Sequence, residues 1–228
     1  MNCLSKVCAI TSLSLGLLGS AVAADNNTVL VGAYFINFDV TTPGLQGPGT
    51  IPGLGADVKS ITTAYAAYTR RLSEHFSVEL AAGDPPTAKT VGVGPTSLGS
   101  VPYDGQTLIT ARWLSPTVLL EYTFFDEKSP IRPYVGVGIN HTVFYNRVVT
   151  DAGAQVTGGP TSVSLSPSTG GAATVGLAYT IAPHWVAHVS YSVSNIHTSA
   201  IADTAGVERT AHISFAPKAA VVAVGYQF

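Results

Sequence analysis

The sequence predicts an all-β chain: an eight-stranded antiparallel transmembrane barrel with long loops at one end and short turns at the other. Three observations predict it. Bulky residues alternate with small or polar ones at period two in segment after segment, as strands require. The connections between these segments alternate long and short. Aromatic residues gather beside the short connections, as at the rim of a barrel that meets a membrane interface. Charged residues make up only 11% of the chain, less than half the ~25% of a typical soluble domain. Beyond the N-terminal stretch no apolar run approaches the ~18 residues of a spanning helix. A closed barrel is the membrane architecture compatible with both facts.

The length of 228 residues suits one domain, or at most two. The N-terminus has the form of a secretory leader: Lys6, a short apolar run Val7–Gly19, and the small-residue site Ala21-Val22-Ala23. We expect residues 1–23 to be removed and residues 24–228 to form the single barrel domain. The competing reading is a retained N-terminal helix. Both cysteines, Cys3 and Cys8, lie in this segment, so the mature chain is expected to hold no disulfide and no cysteine metal site. A net charge of −2, with no run of Lys and Arg, argues against nucleic acid as a partner.

Strand one is predicted at Thr28–Asp39, followed by a Gly/Pro-rich loop, Thr41–Ala56, containing Pro43, Pro48 and Pro52. Strand two spans Val58–Arg70, and the polar turn Arg71–His75 leads to strand three, Phe76–Gly83. A long segment, Asp84–Ser115, is expected to carry strand extensions above the membrane. Strand four is Pro116–Phe125, with Asp126–Pro130 as the second short turn. Strand five is Arg132–Val148. The third long loop is Val149–Gly170, rich in Gly, Ser, Thr and Pro. Strand six is Gly171–Ile181, with Ala182-Pro183-His184 as the third short turn. Strand seven is Trp185–His197, a fourth loop spans Thr198–Thr210, and strand eight closes at Phe228. This long–short alternation is that of an up-and-down outer-membrane barrel, and an even strand count puts both termini on the periplasmic side. A lipocalin shares the topology, but its outer face is polar.

Alternation assigns faces. Strand eight puts Val222, Val224, Tyr226 and Phe228 on one side and Ala219, Val221, Ala223, Gly225 and Gln227 on the other. Strand seven sends Trp185, Ala187, Val189, Tyr191 and Val193 to lipid, and Val186, His188, Ser190, Ser192 and Ser194 inward. Strand six sends Val175, Leu177, Tyr179 and Ile181 out. Strand three points Phe76, Val78 and Leu80 out, and Ser77, Glu79 and Ala81 in. Strand four points Val118, Leu120, Tyr122 and Phe124 out and Glu121 in. We read Tyr68, Phe76, Phe124, Tyr134, Tyr179, Trp185, Tyr226 and Phe228 as membrane-interface aromatics at the short-turn end. Phe35, Phe38, Trp113, Phe144, Tyr145 and Phe215 lie towards the loops and are expected as the other girdle. Ala81, Glu79, Glu121, Ser192, Ser190 and His188 are the expected channel-lining residues, and Glu79, Glu121 and Arg112 an inward charge network.

Several stretches resemble the outer membrane protein W family: Ser77–Ala82, Leu114-Ser115-Pro116-Thr117, Ile131–Asn140 and Gly225-Tyr226-Gln227-Phe228. The most specific is Arg132-Pro133-Tyr134-Val135-Gly136-Val137-Gly138-Ile139-Asn140. The resemblance implies an eight-stranded barrel with a narrow hydrophobic channel in the Gram-negative outer membrane. It implies porin-like passive transport of small hydrophobic molecules, with lateral release into the bilayer. It also implies contact with outer-membrane lipids and lipopolysaccharide, and a terminal strand read by the outer-membrane insertion machinery. In that family bulky apolar residues from strands three and seven are thought to constrict the channel. The matching positions here are Ala81 and Ser192, both small, which implies a wider or differently gated lumen. The alternative function is a non-conducting structural or surface-recognition barrel.

Chemistry reads weakly. His188-Val189-Ser190 has the His-x-Ser spacing of the lipid A deacylase family, so a lipid A-modifying hydrolase is the remote alternative. The nearest carboxylates in sequence, Asp203 and Glu208, are not clearly placed to orient His188. We therefore read the pair as polar lumen lining and the chain as no enzyme. The histidines His75, His141, His184, His188, His197 and His212 are scattered, so no metal site is expected. Gly136 and Gly138 lack the strand–helix context of a dinucleotide site. No cofactor is expected.

Overall fold

The computed structural model describes residues 26–38, 40–41, 46–50 and 53–228. The expected leader with its cleavage site and both cysteines lies outside the described residues, as do Pro43 and Pro52 of the first loop.

Eight long strands form the wall: β1 Asn27–Asn37, β2 Ile61–Arg71, β3 Phe76–Gly83, β4 Thr117–Thr123, β5 Ile131–Val149, β6 Ser168–Ala182, β7 Trp185–Ser194 and β8 Lys218–Gln227. Their order around the ring is β4-β3-β2-β1-β8-β7-β6-β5, and β5 returns to β4, so no edge is left open. Every neighbour is antiparallel. The seam joins the first strand to the eighth. Asn27 N–H donates to Phe228 O (3.1 Å) and Phe228 N–H to Asn27 O (2.9 Å).

The wall is apolar on its outside. Val118, Leu120, Val135, Val137, Ile139, Val222 and Val224 are exposed, while Leu119, Glu121, Val221 and Ala223 between them are buried. That polarity suits a strand wetted by lipid on one side. Gly138 shows how tightly the wall is drawn. A Cβ there would sit 1.8 Å from Val118 O, so the strand-five glycine is fixed by the approach of β4.

Above the barrel, at its long-loop end, the chain builds two further sheets. One joins Gly55–Val58, Thr87–Val93, Thr107–Leu114 and the upper part of β5. The other joins Val40–Thr41, Val207–Phe215, Ile196–Thr204 and Thr161–Leu165. Several sequence expectations change here. Val58 belongs to the first loop-end sheet, and β2 starts only at Ile61. The segment expected as the loop Val149–Gly170 contains the helix α1, Asp151–Thr157, capped by Thr150, whose hydroxyl accepts from Gly153 N–H (3.1 Å). The expected loop Thr198–Thr210 is most of a hairpin. Strands seven and eight are correspondingly shorter, ending at Ser194 and starting at Lys218. Asn195 and Ala216-Pro217 mark the bends where the chain leaves the wall.

At the short-turn end Tyr68, Phe76, Phe124, Tyr179, Trp185, Tyr226 and Phe228 are exposed on the outer face. Some of these rings touch their neighbours: Phe76 and Phe124 each meet Tyr122 (5.3 and 5.2 Å), and Trp185 meets Tyr226 (5.3 Å). Tyr134 is a correction. It is buried inside, because Ile131, Val135 and Val137 take the outer face of β5 and alternation turns Tyr134 inward. Its ring fills the space left by its cross-strand partner Gly176, where a Cβ would sit 2.3 Å from the Tyr134 hydroxyl. The second girdle is also corrected. Phe38 and Trp113 are buried, and Phe144 and Phe215 pack against them; Phe35 remains outward.

Candidate functional site

From the short turns upward, the lumen is divided into compartments. The lowest cavity, about 100 Å³, is polar at its rim and reaches Glu79, Glu121, Tyr134 and His188. Glu79 accepts from the Tyr65 hydroxyl (3.0 Å) and the Thr69 hydroxyl (3.2 Å). Glu121 accepts from Ser77 (2.9 Å), and its second oxygen has no partner among the described residues. Tyr134 hydrogen-bonds His188 Nε2. Around these groups Leu30, Tyr65, Ala67, Ala81, Val186, Val221 and Ala223 form a packed cluster. Buried polar side chains linked across strands and wedged between apolar ones make a plug.

Arg112 does not join this plug. Its guanidinium donates twice to Pro85 O (3.1 and 2.7 Å) and lies over the Tyr145 ring (5.7 Å), in the loop-end sheet. The expected charge network is thus reduced to Glu79 and Glu121 with hydroxyl partners. His188 has no carboxylate partner: Nε2 meets Tyr134 and Nδ1 meets no acceptor or donor among the described residues. Asp203 instead closes a turn, accepting from Gly206 N–H (2.8 Å). Among the described residues no group of histidines and carboxylates could hold a metal ion.

Above the plug, Tyr34 and Tyr65 pack at 5.7 Å, and two cavities of about 30 Å³ each lie beside them. Ser192 lines both; Ala81 and Ser190 line only the lower. The next level is a partition of bulky side chains, Ile36, Phe38, Trp113 and Ile196, closed against Ala219. Phe38 and Trp113 meet at 5.1 Å. The Trp113 indole N–H is sealed in and meets no acceptor among the described residues.

Over this partition lies a cavity of about 250 Å³, held between the two loop-end sheets and α1. Its walls include Leu54, Leu108, Val149, Val156, Val163, Leu165, Ile213 and the rings of Phe38, Trp113, Phe144 and Phe215. Tyr103 donates its hydroxyl to Gly55 O (2.7 Å), and burial pushes its phenol pKa up. Such an apolar enclosure with few polar groups is the form of a small-molecule site. These residues were not legible as a site: Leu54, Val149, Val156, Val163 and Leu165 come from segments that read as loops, and Phe38, Trp113, Phe144 and Phe215 read as an outward girdle.

The wall is interrupted beside the partition. The β3–β4 ladder stops at Ala81 opposite Thr117, and pairing resumes at Thr87 opposite Arg112. Asp84-Pro85-Pro86 and Ser115-Pro116 occupy the gap, and prolines cannot donate to a ladder. On the other side of the bend Asn140 of β5 holds the turning chain, donating to Ser115 Oγ (2.8 Å) and Thr117 Oγ1 (2.8 Å). The upper of the small cavities is lined by Gly83, Pro86, Trp113 and Ser115 at this gap.

Residues 25–228 match the model of the OmpW family. The chain belongs to that family. Outer membrane protein W of Salmonella typhi is 30% identical over 223 residues, covering 96% of this chain and 97% of the relative. The dibenzothiophene metabolism operon protein PahQ of Pseudomonas aeruginosa is 23% identical, covering 88% of each. Among solved structures, the crystal structure of the outer membrane protein OprG from Pseudomonas aeruginosa superposes with a TM-score of 0.78 at 21% identity, covering 89% of this chain and 96% of that one. This OmpW-family chain is therefore an outer-membrane barrel. It departs from the expected constriction: Ala81 and Ser192 are small, and the bulk stands higher, at Trp113, Phe38, Ile36 and Ile196.

Proposed function

We propose that this OmpW-family barrel takes up small hydrophobic molecules at its loop end and releases them sideways into the outer leaflet. In this reading the loops face outside, and the short turns and both termini face the periplasm. The apolar cavity of about 250 Å³ over a plugged lumen is the observation that carries it. A solute bound there meets the Trp113 partition first, and the polar, packed plug lies below it. Beside the partition lies a wall gap where Pro85, Pro86 and Pro116 leave the ladder unmade. Release to lipid costs an apolar solute little, whereas crossing the plug would part buried polar groups from their hydrogen-bond partners. The name of the relative PahQ ties that protein to dibenzothiophene metabolism, a fused apolar aromatic. His188 and Ser190 act as packing and lining groups, and Ala81, Glu79, Glu121 and Ser192 face the lumen below or beside the exit.

The test is uptake of an apolar fluorophore into proteoliposomes, alongside planar-bilayer ion conductance. The expected outcome is protein-dependent uptake with little ion conductance. Ala81→Leu with Ser192→Trp should lower uptake several-fold, with Ser192→Trp carrying most of the effect because Ser192 lines the cavity at the gap. The plug also favours a second reading, a non-conducting scaffold, and that reading predicts no protein-dependent uptake at all.

A further inference from the structure

The inner face of the hairpin Ile196–Thr204 and Val207–Phe215 presents small and apolar side chains to the large cavity, with one exception. Arg209 is the charged side chain among the described residues that line it. The register pairs Arg209 with Ala202, and Asp203 with Glu208. Alternation therefore turns both hairpin carboxylates to the opposite face. Arg209 spends its donors on neutral acceptors: Nε on Pro48 O (2.9 Å) and Nη1 on Thr204 Oγ1 (3.2 Å). No ion pair to it exists among the described residues. A guanidinium stays protonated, so its charge is permanent. At the lip of an apolar enclosure that charge is only partly solvated and faces no carboxylate among the described residues.

We propose that the cavity prefers single-chain amphiphiles with a carboxylate head, such as medium-chain alkanoates, over neutral molecules of equal chain length, and that Arg209 reads the head group. This rests on the cavity being the uptake site. The alkyl body fills the apolar interior, and the carboxylate accepts a charge-assisted hydrogen bond at the guanidinium. The selection is made where the ligand arrives, before the Trp113 partition.

The chain's two tryptophans give the assay. Trp113 lines the cavity and Trp185 stands exposed on the outer face. Trp185→Phe leaves Trp113 as the sole indole. This protein, folded in a neutral detergent, is titrated with ω-bromodecanoate and, separately, ω-bromodecanol, whose bromine quenches indole fluorescence. Saturable quenching by the carboxylate should occur at a concentration about tenfold or more below that for the alcohol. Adding Arg209→Gln should abolish that difference, chiefly by moving the carboxylate curve to higher concentration, and Arg209→Lys should keep part of it. Raising the salt concentration should weaken the carboxylate and not the alcohol, a readout that needs no Arg209 variant. Equal quenching by the two probes, or a preference that survives Arg209→Gln, overturns the proposal. Failure of both probes to quench Trp113 would remove the uptake site itself.

Discussion

Two interiors are stacked in this molecule, and they are built on opposite rules. Inside the barrel, the inward face carries Ser77, Glu79, Glu121, His188, Ser190 and Ser192, while the outward face is Val, Leu, Ile and rings. Above Asn195 the inward face becomes Ile196, Thr198, Ala200 and Ala202, and the neighbouring outward positions are His197, Ser199, Ile201 and Asp203. The same strand direction passes from one regime to the other within a few residues. The change tracks the surroundings. Where lipid wets the outside, polar groups go inward and bond to one another. Where water wets it, apolar groups go inward and leave a cavity. A chain that filled both levels with polar groups would hold no apolar solute, and one that filled both with apolar groups would lose the Glu79–Tyr65 and Glu121–Ser77 links.

The sharpest way to break this contrast is to remove the partition. Trp113→Ala should cost about 3–5 kcal/mol in urea unfolding from micelles, as for a large buried aromatic, and should speed uptake of an apolar dye by joining the cavity to the space below. Unchanged uptake with the expected loss of stability would move the gate elsewhere. A smaller effect is expected inside the plug. Glu79→Leu leaves the Tyr65 and Thr69 hydroxyls without their acceptor, which should cost about 1–3 kcal/mol. Uptake rates should hold, since the exit lies above; a fall in uptake would show that solute passes the plug. The smallest effect belongs at the short-turn rim, where Arg71 pairs with the half-exposed Glu127. Glu127→Gln should shift unfolding by less than about 1 kcal/mol, more at low salt than at high.

The barrel was legible because lipid makes its alternation steep. Phe76–Gly83 reads correctly to the residue, since Phe76 and Leu80 flank Ser77, Glu79 and Ala81. The loop-end sheets were not. Thr161–Leu165 and Ile196–Thr204 are short and rich in small and hydroxyl-bearing residues, and Ile201 stands outward beside His197, Ser199 and Asp203, so their alternation is shallow. Tyr134 misled for another reason. Its nearness to a short turn suggested the rim, while the parity of β5, fixed by Ile131 and Val135, sends it inward onto Gly176. The large cavity needs residues from several such segments at once, and no local spacing announces that. The bulk missing at Ala81 and Ser192 was visible in the chain, but its relocation to Trp113 and Phe38 required the two halves of the wall to be seen together.

The hydrogen-bonded meeting of Asn27 with Phe228 makes the ring's starting point arbitrary. A short flexible linker across that junction, with a new break at the Ala205-Gly206 bend, would present the same circle of neighbours in a different reading order. The chain would then finish on the hairpin strand Ile196–Thr204 instead of on Tyr226 and Phe228, so comparing its membrane delivery with its folding in detergent would separate what the last residues contribute to each.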